Sequence, residues 1–159
     1  MRSYRVFIGG PIQHALEDGR IESGLAQTLA GFTQAFERRG CAVFSAHVAE
    51  GWGASTAKFS PEQVTRRDYA WIRQADIYIC VLPAKDDGSI WPSGGTHVEL
   101  GWASALGVPI LILWEPAVAE QYSHLFRGLH AVAPVKYTTI RDDCVDEVLG
   151  LATEMLHVE

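Results

Sequence analysis

Long apolar runs are missing from this chain. None approaches the roughly 18 residues of a membrane-spanning helix, so no membrane partner is expected. Cysteine is scarce: Cys41, Cys80 and Cys144 share no C-x-x-C spacing and, being three, cannot all pair within one chain. That usage points to a reducing compartment, the cytoplasm, rather than to a disulfide framework. Met1 to Phe7 runs directly into strand-like sequence, so no signal peptide is expected. Basic residues are outnumbered, 13 Lys and Arg against 19 Asp and Glu, for a net charge of −6. A protein that tracks nucleic-acid phosphates draws on clustered Lys and Arg, so no nucleic-acid partner is expected. A small anionic ligand stays open, because one phosphate needs only a few donors.

Several motifs are absent as well. The six histidines show no H-x-x-x-H or H-E-x-x-H spacing, so no metal site is expected. There is no G-x-x-x-x-G-K-[ST], no G-x-G-x-x-G after the first strand and no G-x-S-x-G. ATP hydrolysis, dinucleotide redox chemistry and serine hydrolysis lose their usual sequence support, and no cofactor is expected.

What is present suits one compact domain over residues 1–159, with 48% hydrophobic and 20% charged content. Tyr4 to Ile8 reads as a strand stopped by Gly9-Gly10-Pro11, His14 to Gly24 as a mobile loop, and Leu25 to Arg39 as a helix with Leu25, Leu29, Phe32 and Phe36 on one face. Cys41 to Ser45 is a second strand, and Ala46 to Gly53 is too glycine-rich and mixed to be regular. Ser60-Pro61-Glu62-Gln63 carries a serine cap, a proline at the first helical position and a capping-box glutamine, predicting a helix to about Gln74. Ile77 to Leu82 and Ile110 to Trp114 are continuous apolar strands of a sheet covered on both faces. Between them a polar loop, Pro83 to Pro92, precedes a helix from about Gly94 to Leu106. A short helix within Tyr122 to Leu129, a strand at Ala133 to Tyr137 and a helix over Asp142 to Leu156 complete the chain. Alternation of strands and helices implies a parallel sheet wrapped by helices. In such sheets ligands sit beyond the carboxyl ends of the strands, which puts Gly9-Gly10-Pro11, Ala46-His47, Pro83 to Ser93 and Trp114-Glu115 on one rim.

Glu99 is the residue that asks for an explanation. It lies one turn inside a helix start, flanked by Thr96, Val98, Leu100 and Trp102. There the helix dipole favours negative charge, and a partly desolvated carboxylate is a candidate nucleophile; a surface acid is the plainer alternative. Asp68 sits mid-helix, where aspartate is a poor helix former, and reads equally as a working acid or as a partner of Arg66 or Arg67. Two carboxylates from different elements are what glycosyl transfer requires, one to attack and one to handle a proton. His47 and His97 lie on the rim and read as substrate contacts or as satisfied loop histidines. Ser93-Gly94-Gly95 reads as a phosphate cradle or as an ordinary cap.

Val6 to Pro11, Arg67-Asp68 with Ala75-Asp76, and Gly95 to Ala103 with Gly107 to Ile110 together resemble the nucleoside 2-deoxyribosyltransferase superfamily. The resemblance covers most of the chain. It implies a flavodoxin-like three-layer α/β/α fold with a five-stranded parallel sheet in order 2-1-3-4-5. It also implies a glutamate nucleophile that forms a glycosyl ester, matched by Glu99, and an aspartate that assists departure of the base, matched by Asp68. True transferases carry an aspartate six residues before the nucleophile, to bind the sugar 5′-hydroxyl. This chain has Ser93 there, which resembles the branch that hydrolyses nucleoside 5′-monophosphates, since a serine can donate to a phosphate.

Gly9-Gly10-Pro11, Ala46-His47 with Gly51-Trp52-Gly53, and Gly95 to Ser104 are most similar to the CMP and hydroxymethyl-CMP N-glycosidases of nucleoside-antibiotic pathways. Phe7 stands where the family usually has a tyrosine near the nucleophile, which makes room for a ribose. By this resemblance Phe7, Gly9, Gly10, Ile12, Ser93 and Gly95 contact substrate. His47 and Trp52 are expected on the base side. Ser123 is expected to reach the phosphate in a partner subunit, implying a homodimer with shared sites. Those glycosidases have Phe then Arg after Gly-Gly-Pro; here Ile12 and Gln13 follow, and Arg20 is the substitute donor. Base exchange on nucleosides, phosphoribohydrolysis and non-catalytic nucleotide sensing remain rival readings.

Overall fold

The computed structural model describes residues 3–157; Met1 and Arg2 of the expected strand approach lie outside them. Five parallel strands form the main sheet: β1 (Arg5–Gly9), β4 (Ala42–Ser45), β5 (Ile77–Leu82), β6 (Ile110–Trp114) and β7 (Val135–Thr139). Two short strands, β2 (Leu16–Glu17) and β3 (Arg20–Ile21), pair antiparallel outside it. The sheet order is β4-β1-β5-β6-β7, which is 2-1-3-4-5 when only its own strands are counted. The fold is therefore flavodoxin-like. The order in which strands are added to the sheet switches sides between the parallel neighbours β1 and β5, whose partners are Val6 with Ile77 through Gly9 with Cys80. The crevice beyond that pair is where open α/β sheets hold ligands.

Strand alternation sends the two faces of each strand into different cores. Val6, Ile8, Ile77, Ile79, Val81, Leu111 and Leu113 pack under α1 (Ser23–Arg38) and α6 (Val145–Leu156). Phe7, Tyr78, Cys80, Leu82, Ile110 and Ile112 pack under α3 (Pro61–Gln74) and α4 (Gly94–Ala105). All six residues of β5 are buried, as the unbroken apolar run implies. Helix α3 opens on the expected capping box: Gln63 N donates to Ser60 Oγ and Ser60 N to Gln63 Oε1. No helix among the described residues is long and apolar enough to cross a membrane.

Two expectations are corrected. Residues 14–24 are not a mobile loop: they form the β2–β3 hairpin and the first turn of α1. Asp18 and Gly19 turn the hairpin with φ of 49° and 75°, the backbone a tight two-residue hairpin needs, and Asp-Gly is its sequence signal. The Glu22 carboxylate then caps α1 by accepting from Gly24 N and Leu25 N, both at 2.8 Å. The hairpin rests on Gly53, where a Cβ would come within 2.7 Å of Leu16 Cδ2 and 2.9 Å of Arg20 Cα. Residues 46–49, expected to be irregular, form a helical turn, α2 (Ala46–Ala49), whose Val48 amide donates to Ser45 Oγ. A further short helix, α5 (His124–Arg127), lies within the stretch expected to hold one.

Candidate active site

A cleft of about 420 Å³ opens beyond the carboxyl ends of β1 and β5. Gly10 to His14 form one wall, Pro92 to Thr96 with Val98, Glu99 and Trp102 a second, and Glu50, Thr56, Phe59, Pro61, Val64, Thr65 and Asp68 a third. Its volume suits a nucleotide-sized ligand. A second cleft of about 360 Å³, between α1 and the start of α6, contains neither Asp68 nor Glu99.

Both carboxylates singled out in the sequence line the larger cleft. Glu99 is half-buried at its base, and Tyr78 Oη donates to Glu99 Oε2 at 2.9 Å. Burial, and then the neighbouring charge of Asp68, raise the Glu99 carboxyl to about 8, against opposing help from Tyr78 and Arg67. Burial also raises Asp68, although Arg67 beside it pulls the other way. Each carboxyl acts on the other, so the two titrate as a coupled pair that retains a proton above the ordinary carboxylate range.

Arg67 holds the acidic wall together. Its Nε donates to Asp68 Oδ1 at 2.8 Å and its Nη2 to Glu50 Oε1 at 2.7 Å, while Thr56 Oγ1 donates to Glu50 Oε2 at 2.9 Å. The guanidinium lies over Phe59 at 5.3 Å and Trp71 at 5.1 Å, and Trp71 stacks on Phe44. Glu50 is only 2% exposed, so this is a buried ion triad whose partners are interdependent. Of the two arginines weighed as partners for Asp68, Arg67 is the one that pairs.

The opposite wall favours an anion. No side chain caps α4, leaving the first-turn amides behind Ser93 to face the cleft with the positive end of the helix dipole. The Ser93 hydroxyl makes no capping bond and lies 3.3 Å from His97 Nδ1, while the Ser93 carbonyl is met by the amide and Nδ1 of His97 at 3.0 and 2.8 Å. Among the described residues the lining contains no Lys or Arg, and its donors are these amides and side chains such as Ser93, Gln13 and His14.

Glu99, Asp68, Gly10, Ile12, Ser93 and Gly95 thus come together in one cleft. Other expected contacts lie outside its lining. Phe7 is fully buried and packs edge-on against Tyr78, with centroids 4.9 Å apart, so its ring presents no surface to a ligand. His47 is 1% exposed, bonded through Nε2 to the Pro11 carbonyl at 2.9 Å and held neutral by burial; it supports the Gly9-Gly10-Pro11 wall from behind. Trp52 sits near His47 with φ of 55°, and Arg20 is exposed on the hairpin. His97 turns toward Tyr122 and Phe126. Ser123 is exposed and caps α5 by accepting from Phe126 N. Gly9 touches the site indirectly: a Cβ there would meet Tyr78 Oη at 2.6 Å and Glu99 Oε2 at 2.9 Å. Sequence reasoning missed Glu50 and Tyr78. The alternation that places Phe7 and Cys80 on the α3/α4 face already carried the signal for Tyr78; a lone acid in a glycine-rich segment was the weaker one for Glu50.

A 2-1-3-4-5 sheet with two coupled carboxyls and an uncapped helix start lining one crevice places the protein among flavodoxin-like α/β folds. The model of the nucleoside 2-deoxyribosyltransferase family matches residues 7–145, and the chain belongs to that family. The mouse (Mus musculus) 5-hydroxymethyl-dUMP N-hydrolase is 32% identical over 126 residues, covering 77% of this chain and 64% of the mouse protein. The chain thus spans slightly less than two thirds of that relative. Among solved structures, the CMP N-glycosidase BcmB of Clostridium botulinum is 27% identical, with a TM-score of 0.61 over 94% of this chain and 98% of that one. BlsM is 33% identical, with a TM-score of 0.70 over 97% and 87%.

Proposed function

We propose that this protein hydrolyses the N-glycosidic bond of a nucleoside 5′-monophosphate, with CMP or a modified CMP favoured, releasing the free base and the sugar 5-phosphate. The observation that carries the reading is the shared cleft: two coupled carboxyls face a helix start with uncapped amides. The names of the similar hydrolase and glycosidase support it.

Glu99, as carboxylate, attacks the anomeric carbon. The C–N bond breaks with its electron pair going to the base, and Asp68 supplies the proton that the departing base nitrogen takes up. Water then attacks the same carbon and returns a proton to Asp68, and the ester C–O bond breaks to restore the Glu99 carboxylate. One proton shared between two carboxyls is the inventory the first step needs, an acid for the leaving group and an anion to attack. The phosphate sits on the Ser93 hydroxyl and the α4 amides, where the helix dipole offsets its charge. A phosphate there is far better matched than to an aspartate at position 93. In a homodimer the exposed Ser123 of a second copy would add a donor that a single chain lacks. Three free cysteines suit the cytoplasm.

Incubation with a panel of ribo- and deoxynucleoside monophosphates, followed by chromatography for free base and sugar 5-phosphate, tests the proposal. Cleavage of monophosphates, with cytosine nucleotides fastest, is expected. Cleavage of unphosphorylated nucleosides alone would overturn the phosphate assignment, and a new nucleoside formed on adding an acceptor base would make the enzyme a transferase.

A further inference from the structure

The hydroxyl nearest Glu99 comes from β5. We propose that Tyr78 is the positioning residue for Glu99: its buried hydroxyl grips one carboxylate oxygen, stabilises the anion and turns the other oxygen toward the cleft. This rests on Glu99 being the nucleophile, as proposed above.

Three observations meet here. Tyr78 is 0% exposed, so its hydroxyl has no access to bulk water and must find a protein partner; Glu99 Oε2 at 2.9 Å is that partner. The ring is immobilised by Phe7, its in-register neighbour on β1, which packs edge-on against it. Gly9, also on β1, leaves the space in which hydroxyl and carboxylate meet, since any Cβ there would press on both atoms. Phe7, Gly9 and Tyr78 therefore form one device: a spacer, a gap and a donor, all on the rigid centre of the sheet. A donor fixed on a buried strand costs no reorganisation when charge develops on its partner.

The other charged and titratable groups around Glu99 cannot take this role. Asp68 and Glu50 are acids that disfavour its ionisation, and Arg67 is already bonded to both of them. Cys80, on the same strand as Tyr78, is fully buried and its thiol is pushed far up by that burial, so it stays neutral. His97 on α4 faces Tyr122 and Phe126. Tyr78 itself is pushed well above its ordinary range, first by burial and then by Glu99, so it remains a donor at every working pH.

The test is Tyr78→Phe, which keeps the ring and its packing. A carbon-13 carboxyl titration should show the Glu99 midpoint rising in the variant. The wild-type Tyr78 Cζ resonance should step with the Glu99 titration and lose that step in Glu99→Gln, a measurement that needs no folded Tyr78 variant. On the monophosphate cleaved best, kcat should fall roughly ten- to a hundredfold, the range for one hydrogen bond to a charged group, with KM little changed and the acid limb of the rate profile moved to higher pH. Unchanged midpoint and pH profile in Tyr78→Phe, or a Tyr78 signal indifferent to Glu99, would overturn the proposal. A wild type that cleaves no nucleotide refutes the hydrolase reading alone, because the titrations require no substrate.

Discussion

The same five strands build two unlike cores. Toward α1 and α6 the buried residues are almost entirely aliphatic and aromatic, and the structure there is a simple hydrophobic packing problem. Toward α3 and α4, alternate residues of those strands lead to Tyr78, Glu99, Asp68, Arg67 and Glu50, polar groups whose burial costs free energy unless each is partnered. The apolar face secures the fold, and the other face holds groups that make it less stable in return for chemistry. Substitutions on the two faces should therefore differ in their effect on activity.

Glu99→Gln should produce the largest divergence. Hydrolysis should fall by at least about three orders of magnitude, as expected on loss of a nucleophile, while stability rises at alkaline pH. The folded-state value of about 8 lies above the ordinary 4.5, so the native state prefers the protonated acid. That preference contributes fully below 4.5 and is lost as pH rises through 8. The gain in Tm should be absent at pH 4, grow between pH 4.5 and 8 and be complete above 8, at about 2–4 °C per kcal/mol; calorimetry across this window checks the sign. Equal Tm values at pH 9 would break the comparison.

Arg67→Met removes the one cation between two buried acids and should cost about 3–5 kcal/mol along with most activity, read by urea unfolding and the nucleotide assay. Leu29→Ala, on the opposite face and 1% exposed, should cost a similar or smaller amount, about 2–5 kcal/mol. At a temperature where the variant is fully folded, kcat should match the wild type. A lowered kcat for Leu29→Ala would show that the faces are not separable. Ser93→Asp should act chiefly on binding, with KM for monophosphates raised roughly ten- to a hundredfold by repulsion at close range. If KM holds, the phosphate seat lies elsewhere.

Much of the fold was legible because its signals are local. The unbroken apolar runs at Ile77–Leu82 and Ile110–Trp114 announce doubly covered strands, and Ser60-Pro61-Glu62-Gln63 announces a helix start. The hairpin over residues 16–21 was misread as a mobile loop: its strands are too short for alternation to show, and Asp18-Gly19 was its one local signal. Glu99 drew notice because an acid among apolar neighbours conflicts with its surroundings, and such conflicts gather at functional sites.

By itself, then, the sequence determined the layered α/β architecture, the rim on which a site must lie and the two carboxylates worth testing, because periodicity and caps act over a few residues. Only the tertiary structure decided which groups surround those carboxylates. Tyr78 lies 21 positions from Glu99, and Arg67 lies 17 from Glu50. Whether such residues touch depends on strand register and on helix rotation, set by packing across the whole sheet. The same packing took Phe7 out of the cleft, placed His47 behind a wall rather than in it, and put the hydroxyl beside Glu99 on β5.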